Sequence, residues 1–342
     1  MKLPLVLAIA PAVGFLVISC RDSSTEPEAA GGPQQQAIPE LALTSNTWVR
    51  RADLPSTERQ ALAVGSIAHP SGNSTLYAVG GAALTGGNLS NTQAYSAASN
   101  RWIWRAPLPG PRYSTNGIGV IKGKLYISGG FASHSNVRDE LFVYNPATNT
   151  WFEKRRMPSQ TYGGFTGVIN DKLYVLTGCE NDEICDAKTV FYRYNPVTDR
   201  WSTLPTASER HLGGVAGTIG GKFYVAGGST PGTDSKKLEV YDPTTNSWTT
   251  KAPLPRPRYG AIGTAVDGKL YVIGGFERKA DGSTEQVTTT NVYSPATNTW
   301  TTKLSIPSNQ TGDAAARVAV NGQSSLEIVG GVRPGNNIAY IP

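Results

Sequence analysis

The chain has 342 residues, with 38 glycines, 23 prolines, only 16% charged residues and a net charge of +6. This describes a turn-rich β protein whose 39% apolar content is enough for a large core, and no stretch keeps the apolar period of a helical fold. The basic residues are scattered, with no run able to track a phosphate backbone, which argues against a nucleic-acid partner.

In chain order, Met1-Lys2 precede an apolar run from Leu3 to Val17 that is broken by Pro4, Pro11 and Gly14. It is too short for a transmembrane helix, which needs ~20 residues, and suits a secretory signal. The run ends in Val17-Ile18-Ser19-Cys20, which resembles the lipobox of bacterial lipoproteins. That resemblance implies cleavage before Cys20, acylation of the cysteine, and a protein whose contact with the membrane is its lipid anchor. Arg21 stands where an Asp retains some lipoproteins in the inner membrane, which favours the outer membrane, with the body facing the periplasm or the outside. An ordinary signal peptide with an incidental cysteine is the other reading. Residues 21–40, rich in Pro, Gly, Gln, Ser and Glu, read as a flexible tether. The expected organisation is a signal peptide over 1–19, the lipidated cysteine and tether over 20–43, and one folded body over 44–342.

The body repeats itself at a period of about fifty residues. Gly80-Gly81, Gly129-Gly130, Gly227-Gly228, Gly274-Gly275 and Gly330-Gly331 each end a short apolar strand, and Thr177-Gly178 fills the remaining place. A tyrosine then stands seven residues before a tryptophan, as in Tyr95 and Trp102, Tyr144 and Trp151, or Tyr293 and Trp300. Turns such as NPATNT and DPTTNS separate the two, and Lys122-Gly123, Asn170-Asp171, Gly220-Gly221 and Asp267-Gly268 suit type I′ hairpins between the first two strands. This pattern resembles the Kelch motif, and it implies an all-β propeller of four-stranded blades with glycine-rich inner strands and the tryptophans packed between blades. Trp48 lies in an outer strand with no preceding partners, whereas the last repeat stops at Tyr340 without one. The two fragments complete each other, so six blades and a closed, monomeric ring are expected.

A four-stranded meander brings its inter-blade connection and its second-to-third-strand connection to one face, beside the central channel. Arg59, Arg112, Arg210 and Arg258 stand at the starts of four inner strands, with Tyr113, Tyr162, His211 and Tyr259 beside these positions. In Kelch domains such arginines rim the channel mouth, so the resemblance implies a binding face for an anionic glycan, protein or peptide, since Arg pairs carboxylates bidentately. The alternative is that each arginine braces the scaffold by bonding loop carbonyls. The connection from Phe276 to Thr290 is the longest and reads as a solvated loop.

Cys179 and Cys185 bracket a five-residue acidic stretch, and in an oxidising compartment they read as a disulfide. No nucleophile elbow, metal-ligand cluster or phosphate-binding loop is visible, so neither catalytic residues nor cofactors are expected, and His69, His134 and His211 lie in three different blades. One enzymatic alternative stays open. The six-bladed Kelch epimerases of N-acetylneuraminate are similar in architecture, and an arginine-rich mouth with His211 and Glu209 would suit acid–base help on a carboxylated sugar.

Overall fold

The computed structural model describes residues 45–55, 59–83, 86–133, 136–180, 189–230, 233–307, 314–330 and 337–342. The signal segment, Cys20, the tether and Cys185 lie outside the described residues. Six four-stranded antiparallel sheets form the blades. The first consists of Ala63–Ala68, Ser74–Val79, Thr92–Ser96 and Arg101–Arg105, in that order from channel to rim. Inner strands of neighbouring blades touch all the way round, including those of the sixth and first.

The second and third strands are buried on both faces, because a blade has neighbours on either side. Lys124–Ser128 and Leu141–Asn145 are buried at four of their five positions, so they read as continuous apolar runs. The outer strands, such as Ser247–Lys251, are exposed except for the tryptophan. That tryptophan packs against the preceding blade: Trp102 adjoins the cluster that includes Val318 and Val329 of the sixth, and its Nε1 donates to Ala52 O at 2.8 Å. Six clusters of this kind, one per blade interface, make up the core. Close approach at the channel explains the inner glycines, since a Cβ on Gly119 would stand 2.2 Å from Leu173 Cδ1.

The hairpin turns behave as their residues demand. Lys122 and Gly123 have φ of 48° and 70°, the left-handed pair of a type I′ turn. The ring closes as the split repeat requires. Thr47–Arg50 pairs antiparallel with Asn337–Ile341, placing Trp48 opposite Tyr340. One expectation is corrected. The connection after Gly275 is not simply a solvated loop, because Phe276–Arg278 and Thr284–Gln286 pair as a hairpin. Glu277 and Glu285 face each other across it, and Arg256 and Lys279 each bridge both carboxylates, which turns a like-charge clash into a charged clamp.

Candidate functional site

Both connections do meet on one face. Tyr113 forms a β-bridge with Phe131, Tyr162 with Cys179, Leu212 with Ser229, and Tyr259 with Phe276. Each inter-blade segment thus pairs with the residue that follows the Gly-Gly position of its own blade. Below this mouth runs a central cavity of about 520 Å³, walled by the inner strands of all six blades. Its lining is small and hydroxylated, including Ser66, Ser114, Thr166, Thr218 and Thr264. Arg317 is the charged group in this wall, and it pairs with Asp267 of the adjacent blade's turn.

The arginines do not converge on this mouth. Arg59 and Arg258 are each 1% exposed and Arg112 is 5% exposed, with their guanidinium groups turned into their own blades. Arg59 donates to Gly80 O at 3.0 Å and to Gln93 Oε1 at 2.7 Å. Arg258 donates to Asn291 Oδ1 at 2.6 Å and to Gly274 O at 3.3 Å. Arg112 meets the Glu140 carboxylate at 3.1 Å and lies 5.5 Å from the centre of the Phe142 ring. Burial lowers Arg59 and Arg258 to about 10, and it lowers Arg112 despite the Glu140 charge beside it. The burial of these groups favours the bracing alternative: they tie the inter-blade segment to the second and third strands.

The fourth blade refines the register. The Leu212–Ser229 bridge aligns Leu212 with Tyr113 and Tyr259, so His211, not Arg210, occupies the arginine position. His211 is 1% exposed and does the arginine's work, with Nδ1 2.7 Å from Gly227 O and Nε2 3.1 Å from Glu239 Oε2. Glu239 sits where the first and fifth blades have Gln93 and Asn291. Burial opposes its charge, but the His211 ring and the Ser208 N–H overcome that and hold its carboxyl below the usual range. Glu209 is occupied too, accepting from Ser235 at 2.6 Å and pairing with Lys237 at 2.9 Å. The acid–base pair expected at the mouth is therefore not presented to it. Arg210 is half-buried in the segment entering the fourth blade, and its Nη1 is buried with no hydrogen-bond partner among the described residues.

What the structure does bring to the rim is aromatic. Tyr113, Tyr162 and Tyr259 are half-buried beside the mouth. Phe131 links two of them, with ring centres 5.0 Å from Tyr113 and 4.2 Å from Tyr162. On the fifth blade Phe276 stands 5.9 Å from Tyr259, and the Arg278 guanidinium lies 5.5 Å over the Tyr259 ring. Phe131 and Phe276 were missed by sequence reasoning, although both directly follow a Gly-Gly pair, a position that aligning the repeats would have isolated. Ring faces around a hydroxylated cavity can stack on sugars or apolar side chains and hydrogen-bond their edges. Among the described residues no group of three or more His, Cys, Asp or Glu is placed to hold a metal ion. Cys179 is buried behind Tyr162, and its proposed partner Cys185 lies outside the described residues.

Comparison with known proteins agrees with this architecture. The model of the attractin/LZTR1 β-propeller family matches residues 76–336. Kelch-like protein 35 of Mus musculus is 28% identical over 134 residues, 39% of this chain and 21% of that protein. Kelch-like protein 28 of Homo sapiens is 35% identical over 112 residues, covering 30% and 19%. Beta-scruin of Limulus polyphemus is 26% identical over 144 residues, covering 40% and 15%. The matched segments thus span less than a third of these relatives' own length. The solved structure of YjhT superposes with a TM-score of 0.65 at 20% identity, covering 84% of this chain and 94% of that one, a likeness of fold.

Proposed function

Because the chain belongs to the attractin/LZTR1 β-propeller family, we propose that it is a binding module that takes a glycan or protein partner at its channel mouth. The observation that carries this reading is the aromatic rim of Tyr113, Phe131, Tyr162, Tyr259 and Phe276 around a hydroxylated cavity. Sugar rings and apolar side chains both fit such faces. The epimerase alternative is less well supported, because His211 and Glu209 are already bonded within the fourth blade.

Envelope anchoring belongs to the same proposal and is supported by the Val17-Ile18-Ser19-Cys20 sequence. Mass spectrometry of the mature N-terminal peptide should find acyl chains on Cys20, and an unmodified cysteine would remove this part. For the site, a thermal-shift panel of neutral glycans, acidic sugars and peptides should include a compound that raises the melting point. A ligand at ~100 times its Kd stabilises by about 2.7 kcal/mol. Tyr113→Ala with Tyr259→Ala should abolish that shift. If both replacements leave it intact, the mouth is not the site.

A further inference from the structure

The rim of the disc is not uniform. Each outer strand continues past its tryptophan, and the first two residues there differ between blades. In the third, fourth and fifth blades these are Ser202-Thr203, Thr249-Thr250 and Thr301-Thr302, the polar edge that keeps unpaired strands from associating. In the sixth, first and second blades, which are consecutive around the ring, the first of the two is Val49, Ile103 and Phe152. The first blade adds Trp104. Ile103 is 50% exposed, Trp104 55% and Phe152 39%, so the apolar groups face water on adjacent blades. The same arc carries the exposed cations Arg101, Lys154 and Arg155, of which Lys154 and Arg155 stand near the Asp199 carboxylate of the next blade's turn.

We propose that this arc docks on an anionic lipid bilayer, with Trp104, Ile103 and Phe152 entering the headgroup layer and the cations meeting lipid phosphates. Two observations select this occupant. A second copy would bring the same exposed cations face to face, whereas an anionic surface complements them. Residues 20–44, which begin with Cys20, join the propeller through Thr47–Arg50, an outer strand of this arc. Whatever holds that segment at a bilayer therefore holds this part of the rim at high local concentration beside it. The proposal concerns a different surface from the channel mouth and does not depend on that site.

The test is hydrogen exchange on the full chain, alone and with vesicles of phosphatidylcholine or of phosphatidylcholine with phosphatidylglycerol. Edge amides in 101–105 and 150–154 should slow by on the order of tenfold with the anionic vesicles, as local opening to water is suppressed. Those in 247–251 and 299–303 should not. Ile103→Thr, Trp104→Thr and Phe152→Thr together, which give this arc the polar character of the other blades, should remove the protection at an unchanged melting temperature. If that variant fails to fold, Arg101→Glu with Lys154→Glu should do the same. The proposal is overturned by absent vesicle binding, by equal protection on all outer strands, or by equal protection with both lipids. It is also overturned if protection grows with protein concentration and needs no lipid, which would identify a second copy.

Discussion

At the scale of single residues, the inter-blade position of the first, fourth and fifth blades is matched to one on the third strand. Arg59 meets Gln93, His211 meets Glu239 and Arg258 meets Asn291, partners separated by 34, 28 and 33 positions in the chain. Removing Arg258 by Arg258→Ala takes the charged donor from Gly274 O and from Asn291 Oδ1 in the interior, and should cost roughly 3 kcal/mol by denaturant unfolding. Two carboxylates predict opposite pH dependence. Glu239 is held below its unfolded value of about 4.3, so the stability it adds is complete above that pH and is lost as pH falls through the folded value. The gap in melting temperature between the native chain and Glu239→Gln should therefore narrow in acid. Glu327 is wholly buried, and burial raises it despite Arg51 at 3.6 Å. Its contribution is lost as pH rises through the folded value, so Glu327→Gln should raise the melting temperature at neutral pH and not in acid.

At the scale of elements, the repeated Tyr, Asn and Trp form a staple between blades. Tyr144 Oη donates to Asn149 Oδ1 at 2.6 Å, and that oxygen also accepts Ala106 N at 2.9 Å. Trp151 Nε1 donates back to Ala106 O at 2.9 Å, so one residue of the first blade is held from both sides by the second. Asn149 has φ of 52°, a left-handed turn that Asn tolerates well. Asn149→Ala loses both bonds and strains the turn, for about 2–3 kcal/mol, whereas Asn149→Gly loses only the bonds and should cost less. Comparing their unfolding free energies separates the two effects. The staple was legible in the sequence as the Tyr-to-Trp spacing. The hairpin after Gly275 was not, because its stability comes from Arg256, which lies outside the segment.

At the scale of the molecule, the same staple closes the ring. Tyr340 Oη donates to Asn46 Oδ1 at 2.7 Å across 294 residues, and Leu304 N donates to the same oxygen at 3.1 Å. A chain truncated before Ala52 should lose the outer strand of the sixth blade and expose Asn337–Ile341 as an edge. Its melting temperature should fall and exchange across 337–341 should accelerate. Unchanged exchange there would mean that closure contributes nothing to that blade.

The blade number, the split sixth blade and the hairpin turns were determined by the sequence alone, because each depends on a local motif written several times over and each copy checks the others. The direction of Arg59, Arg112 and Arg258, the role of His211 in place of Arg210, and the aromatic character of the mouth were decided only by tertiary structure. The physical reason is that an inter-blade segment has no periodicity of its own. Its register comes from the bridge to the residue after the Gly-Gly position, and a shift of one residue turns a side chain from the channel into the blade.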